Sequence, residues 1–139
     1  MKTIFVCTGN TCRSPLAESY AKSLYNRDDF ESRGIMVVSS EISEHSKRII
    51  DDNTLPQPST PKQLTEEDID GSLLLTMTES HKMHIKQLFP DANVYTLGEY
   101  TTGDATDVAD PFGGNGAQYD AVFTEIKHFI NLLDKGESS

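Results

Sequence analysis

The N-terminal segment of the chain combines, in immediate succession, a short apolar run, a loop of small and polar residues and the start of a helix. Residues 3–7 (TIFVC) are β-branched, aromatic or otherwise apolar in character, which predicts a buried strand. The loop TGNTCR follows, and Ser14-Pro15 is typical of a helix start, with serine at the N-cap and proline at the first helical position. This order places a helix N-terminus at the end of a strand and predicts an α/β fold.

The rest of the chain alternates between the same two kinds of element. Further strands are predicted at residues 34–38, 73–77 and 94–97. Helices are predicted over residues 43–52 and 80–89, from Thr65 with Asp68 as its capping partner, and along a final segment that is apolar at helical spacing from Tyr119 to Leu133. The connecting loops are expected at 56–61, which is rich in proline, and from about Glu99 to Gly116, and the ESS ending at 137–139 is expected to fray. In the first helix, six residues are predicted to face inward: Leu16, Ala17, Tyr20, Ala21, Leu24 and Tyr25.

Alternating strands and helices indicate a parallel sheet with helices on both faces. In such sheets the binding crevice lies outside the carboxyl ends of the strands. Cys7 stands at the carboxyl end of the first predicted strand.

Length and charge narrow the class of protein. The chain has 139 residues, which predicts a single domain over residues 1–139. A formal net charge of −10 disfavours nucleic acid or an anionic membrane as the main partner. Two cysteines do not make a secreted disulfide framework, and no apolar run approaches the ~20 residues of a membrane span. We therefore expect a cytoplasmic protein, monomeric, with no metal and no cofactor.

The loop after the first strand has the composition of an anion-binding cup. Its backbone N–H groups and the following helix N-terminus favour an anion. Gly9 permits a positive φ or a close approach of the anion, and the planar guanidinium of Arg13 can hold two phosphoryl oxygens. Each of these groups also favours the thiolate form of Cys7, which would make it a nucleophile. The alternative is an ordinary buried strand cysteine; a Walker-type phosphate loop does not fit, because GxxxxGK[ST] is absent.

The segment VCTGNTCRSP closely resembles the signature loop of the low-molecular-weight protein tyrosine phosphatases. The resemblance extends over nearly the whole chain, through S-R-G near residue 33, Q-L-T at 63–65 and DPFGG at 110–114. It implies a three-layer fold, a four-stranded parallel sheet flanked by helices, and a two-step hydrolysis through a phosphocysteine.

The resemblance also implies roles for the loop residues. Cys7 would attack phosphorus, and Arg13 would bind the phosphoryl oxygens together with the loop N–H groups. Asn10 would hold the loop shape, or would be present only because it tolerates a left-handed backbone. Ser14 would donate a hydrogen bond to the thiolate, or act as a plain N-cap. The complete set of expected substrate-binding residues is Thr8, Gly9, Asn10, Thr11, Cys12, Ser14 and Phe112.

Asp110, in the DPFGG loop before the last helix, would be the general acid that protonates the leaving group and then the base that activates water. By itself an Asp-Pro pair is usually just a turn. The position of the motif before the final helix favours the catalytic interpretation.

Three features leave questions open. Cys12 could form a reversible disulfide with Cys7, or could be a small thiol packed under the loop. Ser59 stands where tyrosine-directed relatives often carry a histidine, so any support that this histidine gives to the loop is absent or supplied differently. The four histidines lie at helical positions and are expected to be solvated or half-buried: His45, His81, His84 and His128.

Two features favour phosphoarginine over phosphotyrosine as substrate. Thr11 occupies a loop position where tyrosine phosphatases typically have an aliphatic residue and the bacterial protein-arginine phosphatases have threonine. Its hydroxyl suits a polar guanidinium, while its β-branch leaves the backbone preference unchanged. Phe112 is followed by Gly113-Gly114, which leaves one aromatic face for a guanidinium to stack on. The alternative is a tyrosine phosphatase in which threonine replaces isoleucine.

Three weaker alternatives remain. An arsenate reductase shares the fold but needs downstream cysteines, and none follows Cys12. A non-catalytic phosphate-binding module would need the cup but neither Cys7 nor Asp110. A thiol redox sensor would make phosphatase activity incidental.

Overall fold

The computed structural model of the chain describes residues 2–104 and 106–133. The ESS ending at 137–139 lies outside the described residues. In chain order the elements are β1 (Lys2–Cys7), α1 (Arg13–Tyr25), β2 (Phe30–Gly34), α2 (Glu44–Asp52), α3 (Glu66–Ile69), β3 (Ser72–Thr76), α4 (Glu79–Leu88), β4 (Asn93–Thr96), α5 (Leu97–Thr102) and α6 (Gly116–Asn131).

The strands of the described chain form one four-stranded parallel sheet in the order β2-β1-β3-β4. β1 is therefore central, and its last residue, Cys7, pairs with Gly34 at the end of β2. Helices cover both faces, so the three-layer α/β fold is confirmed. The carboxyl end of β1 meets those of its neighbours, which is where a parallel sheet builds its binding crevice.

The alternation of side chains along β1 divides the interior into two cores. Phe5 and Cys7 point into the larger core, which contains buried residues of α1, α2, α5 and α6. Ile4 and Val6 point into the smaller core, where Ile85 of α4 is buried and Ile69 of α3 packs at the edge. Full burial of side chains of this size stabilises the fold by about 1.5–3 kcal/mol each. The sheet is thus held from both sides, and β1 carries Cys7 on a rigid support.

Most of the predicted elements are confirmed. The strands at 73–77 and 94–97 and the helices at 43–52 and 80–89 lie within one residue of their observed bounds. The Thr65–Asp68 capping box begins α3, and α6 buries the predicted apolar stripe. Among residues 2–104 and 106–133, no helix combines the length and apolar character needed to cross a membrane.

The strand predicted at 34–38 is wrong except for its first residue. β2 runs over Phe30–Gly34, and only Phe30 brings a large apolar side chain to the core. Two polar residues of this strand, Ser32 and Arg33, are buried. Arg33 has charged partners, since it lies 2.6 Å from Glu31 and 3.2 Å from Asp68. The sequence pattern favoured the apolar run, because periodicity does not reveal that polar strand residues will find partners.

Three further predictions are corrected. α1 begins at Arg13 with Cys12 at the N-cap, so Ser14 and Pro15 lie in its first turn, where a missing N–H is tolerated. Leu24, predicted to face inward, is 44% exposed. The loop predicted from about Glu99 contains the end of α5, a short helix whose N-cap Thr96 accepts from the Glu99 N–H. Its six residues are too few to give a helical periodicity.

Candidate active site

The loop between β1 and α1 curls over the end of the sheet and is anchored by backbone hydrogen bonds. The N–H of Met36 donates to the Thr8 carbonyl at 2.8 Å, and the N–H of Ser43 donates to the Thr11 carbonyl at 2.8 Å. The residue with a left-handed backbone is Asn10, with φ 58°, and not Gly9. A side chain at Gly9 would meet only the Thr11 hydroxyl, at 3.6 Å. The lack of a side chain at Gly9 therefore leaves the approach to the loop open and does not provide a turn.

Gly34 shapes the loop, although no local sequence pattern predicted this. A Cβ at this position would lie 2.8 Å from the Thr8 carbonyl oxygen and 2.9 Å from the Asn10 nitrogen. Such distances are too short for any real side chain. The glycine at the end of β2 is what allows the loop to settle against the neighbouring strand.

A directed series of hydrogen bonds connects the loop to Cys7. The backbone N–H of Lys62 can only donate, and it lies 2.9 Å from Asn10 Oδ1, which sets the orientation of the amide. Asn10 Nδ2 then donates to the hydroxyls of Ser14 and Ser32, both at 2.9 Å. Ser14 Oγ lies 2.9 Å from Cys7 Sγ. Because Ser14 already accepts from Asn10, its hydroxyl hydrogen is available to the sulfur.

Beneath this series lies a buried carboxylate. Ser32 donates to Glu18 Oε1 at 2.6 Å, and Ser59 donates to Oε2 through both its N–H and its hydroxyl at 3.0 Å. Lys22 Nζ completes the set at 2.5 Å, and the Glu18 side chain is fully buried. Ser59 stands where tyrosine-directed relatives often carry a histidine, and here it supports the loop by a different route. The loop is supported here through Ser59, Glu18 and Ser32, which reach Asn10 from below.

Arg13 lies beside the loop with its guanidinium aimed at the same place. The residue is 3% exposed, and its Nη1 donates to the Val108 carbonyl at 2.9 Å. Its Nη2 lies 3.8 Å from Asp110 Oδ2. Its Nε is buried without a hydrogen-bond partner among the described residues. A buried cationic N–H without a hydrogen-bond partner raises the free energy of the folded protein. A bound anion would supply this partner, so the guanidinium favours anion binding.

Asp110 is a turn residue that also lines the cleft. Its Oδ1 accepts from the Phe112 N–H at 3.0 Å, which makes it a turn residue. Its side chain is also 56% exposed, with Oδ2 turned toward Arg13. A carboxyl group in this position can reach both solvent and a group bound at the loop.

The loop and the DPFGG segment enclose one cleft of ≈ 370 Å³. It is lined by Cys7, Thr8, Gly9, Thr11, Cys12, Arg13, Met36, Val38, Ser39, Asp110 and Phe112. The structure therefore brings together all of the sequence-predicted site residues except Asn10 and Ser14, whose side chains are fully buried and do not line the cleft. A thiol, a guanidinium and a carboxyl group around one cleft form an arrangement suited to phosphoryl transfer.

His81 belongs to the site and was missed. It is 5% exposed, and its Nε2 lies 2.8 Å from the Thr8 hydroxyl. Burial and the positive charge of Arg13 lower its pKa to about 4, so the ring is neutral at neutral pH. The expectation that all four histidines are solvated or half-buried is thus wrong for His81. Helical periodicity places it on α4 but carries no signal for the distant loop residue that it contacts.

Cys12 lies between the loop and α6. Both cysteines are buried free thiols. Cys12 Sγ lies 3.5 Å from the Tyr119 hydroxyl and 3.7 Å from Thr11 Oγ1. Burial and the contact with Cys12 raise the pKa of Tyr119 to about 12. Cys12 therefore packs under the loop, and this packing is compatible with either of its two predicted roles.

Comparison with known proteins places the chain in a family. The family model described as low molecular weight phosphotyrosine protein phosphatase matches residues 2–136, and the chain belongs to this family. The low molecular weight protein-tyrosine-phosphatase PtpB of Staphylococcus epidermidis is 45% identical over 137 residues, which are 97% of this chain and 96% of that protein. The PtpB of Staphylococcus aureus is 42% identical over 135 residues, 96% of each chain.

The similar solved structures include proteins with a different stated substrate. The YwlE arginine phosphatase from Geobacillus stearothermophilus matches with a TM-score of 0.92 and 34% identity, over 99% of this chain and 92% of that one. A YwlE arginine phosphatase mutant described as carrying a phosphorylated active site serine in place of cysteine matches with a TM-score of 0.91 and 35% identity, over 97% of this chain and 94% of that one. The chain is therefore a phosphatase of this family, with relatives named for both tyrosine and arginine.

Proposed function

We propose that the chain hydrolyses phosphoarginine in proteins through a phosphocysteine intermediate. The observation that carries the proposal is the composition of the cleft, which is lined by the hydroxyl-bearing Thr11, by Asp110 and by a single aromatic residue, Phe112. A guanidinium can hydrogen-bond to the hydroxyl, stack on one ring face and donate a hydrogen bond to an oxygen of the Asp110 carboxyl group. A phenyl ring would use only the aromatic contact.

In the first step the Cys7 thiolate attacks phosphorus. The new S–P bond forms as the P–N bond to the guanidinium breaks, and the electron pair of that bond moves to nitrogen. Protonated Asp110 supplies the proton that the leaving nitrogen takes up. Ser14 stabilises the thiolate before the attack and again when it is released. Arg13 Nε and the loop N–H groups bind the phosphoryl oxygens, whose charge the guanidinium offsets.

In the second step water cleaves the phosphocysteine. The Asp110 carboxylate takes a proton from the water, whose oxygen bonds to phosphorus as the S–P bond breaks. The electron pair returns to Cys7 Sγ, and inorganic phosphate leaves. The YwlE arginine phosphatase mutant described as having a phosphorylated active site serine supports this proposal, because the phosphoryl group there resides on the side chain that replaces the nucleophile.

A tyrosine phosphatase is the second candidate, and the name of the PtpB relatives favours it. Matched peptides that carry phosphoarginine or phosphotyrosine at the same position separate the two candidates. We expect kcat/KM to be higher for the phosphoarginine peptide. A preference for phosphotyrosine would assign the chain to the second candidate, and no phosphate release from either would point to a binding module.

We also propose that the active site is sensitive to oxidation. Peroxide would convert the Cys7 thiolate to a sulfenic acid, and attack by the Cys12 thiol would form a disulfide and release water. Mild peroxide should then inactivate the enzyme reversibly, and Cys12→Ser should make the loss harder to reverse with thiol. If mass spectrometry of the oxidised protein finds no Cys7–Cys12 bond, Cys12 has only a packing role.

A further inference from the structure

The apolar segment that follows β2 is exposed at the mouth of the cleft. Met36 is 65% exposed and Val38 is 90% exposed, and Phe112 faces them with 81% exposure. These three residues are called the rim below. Within the part of the chain that the structure describes, seven large apolar side chains are exposed, and three of them form this rim. Such a concentration beside a functional cleft indicates a contact surface.

The exposure of the rim is maintained by hydrogen bonds. The Gln63 side chain accepts from the Val37 N–H at 3.0 Å and donates to the Ile35 carbonyl at 2.9 Å, so it clamps the backbone on both sides of Met36. Met36 itself donates its N–H to the Thr8 carbonyl. The segment is thus held against the phosphate loop with the side chains of Met36 and Val38 turned outward.

The position of the rim determines what can contact it. A phosphorylated side chain must enter the cleft with its phosphoryl group at Cys7, so the residues next to it in the substrate pass over the mouth. Arg13 and Asp110 are the charged side chains that line the described cleft, and only Asp110 is exposed. The mouth therefore offers mainly apolar surface beside one carboxyl group, which suits an apolar neighbour.

We propose that the rim binds an aliphatic or aromatic residue adjacent to the phosphorylated residue of a protein substrate, and so selects substrates by their flanking sequence. The proposal rests on the proposed function only in that a phosphorylated protein enters the cleft. It holds for phosphoarginine and for phosphotyrosine alike. Each partner side chain loses water-exposed apolar area on contact, which gives the selection its free energy.

Four peptides test the proposal: each contains phosphoarginine or phosphotyrosine, flanked on both sides by either leucine or serine. The readout is the ratio of kcat/KM for the leucine-flanked peptide to kcat/KM for the serine-flanked peptide. Both peptides carry the same phosphorylated residue, so the contribution of the chemical step is the same in both and drops out of the ratio. We expect a ratio of about ten for the wild type, because partial burial of a leucine is worth roughly a decade. The double variant Met36→Ser/Val38→Ser should bring the ratio close to one. Met83→Ser, which changes a 58% exposed methionine outside the cleft, is the matched control and should keep the ratio.

The same ratio, taken as a ratio of Kd values, is measured with the Cys7→Ser variant, whose rim is intact. This second readout remains valid if the wild type hydrolyses only one phosphorylated residue or neither, so a failure of the proposed function is recognised separately. A ratio near one in both the wild-type kinetics and the Kd values would overturn the proposal. So would a ratio that the double variant leaves unchanged while its thermal unfolding matches that of the wild type.

Discussion

The two sides of the phosphate loop differ in how their side chains are satisfied. Below the loop, Asn10, Ser14, Ser32 and Glu18 are fully buried, and each polar group meets a partner of defined donor or acceptor type. Above it, Val38 and Phe112 are almost fully exposed. The buried side fixes the geometry around Cys7, whereas the exposed side can change its side chains at little cost to the fold. Catalysis is therefore expected to depend on the loop and on the residues below it, and specificity on Thr11 of the loop and on the residues above it.

The largest expected effect is at the nucleophile. Cys7→Ser should lower kcat by about a thousandfold or more, because a serine hydroxyl is not ionised by this loop. The fold and phosphate binding should be preserved, since Arg13 and the loop N–H groups remain. Turnover of phosphopeptides and phosphate binding by calorimetry are the measurements. Retention of a tenth of the wild-type kcat would remove Cys7 from its role.

The next effect depends on the leaving group. Asp110→Asn should slow the hydrolysis of phosphopeptides by about 10²–10⁴, the range of general acid catalysis. An activated substrate such as 4-nitrophenyl phosphate should be affected much less, because its leaving group needs no proton. Rates on the two substrates are compared directly. A small and uniform effect on both would mean that Asp110 is only the turn residue that its contact with the Phe112 N–H makes it.

A change below the loop should lower the free energy of unfolding. In Glu18→Gln an amide replaces a buried carboxylate that accepts from Ser32, Ser59 and Lys22. The amide nitrogen of glutamine cannot accept a hydrogen bond, so at least one of these donors loses its acceptor. Breaking a buried ion pair in this way costs about 3–5 kcal/mol of folding free energy. Urea unfolding measures this loss, and the exposed i, i+4 pair of Arg48 and Asp52 offers the control Asp52→Asn, expected to change stability by less than about 0.5 kcal/mol. Equal effects of the two variants would contradict the distinction between the buried and exposed sides.

A smaller effect should appear in the pH dependence of stability. The pKa of His81 is about 4 in the folded protein and 6.5 in the reference state, so the unfolded chain takes up the proton first as pH falls. The protonation of His81 therefore does not affect the free energy of unfolding above about pH 6.5. As the pH falls from about 6.5 to 4, it should lower the free energy of unfolding. His81→Gln, which cannot titrate, should show a shallower decline in the free energy of unfolding over this range. A difference between the two proteins that does not vary with pH would indicate that His81 is not buried and neutral.

The sequence predicted best where local pattern and tertiary structure agree. The strand–loop–helix unit around Cys7 and the apolar stripe of α6 are examples, since each combines periodicity with a recognisable start. It failed at 34–38, where an apolar run forms an exposed rim and β2 lies earlier in the chain. His81 and Glu18 could not be assigned, because their partners lie 73 and 41 residues away, at Thr8 and Ser59. Both failures lie at the site, where contacts distant in sequence override local preference.

The most direct test of the account exchanges a single side chain in the wall of the cleft. Thr11→Ile replaces a hydroxyl by an apolar branch at nearly constant backbone preference. Loss of a hydrogen bond to a charged group is worth about 1.5–3 kcal/mol, so the ratio of kcat/KM for phosphoarginine over phosphotyrosine peptides should fall by about one to two decades. The account predicts a wild type that prefers phosphoarginine and a variant shifted toward phosphotyrosine. A wild type that already prefers phosphotyrosine, or a substitution that lowers both activities equally, would contradict it.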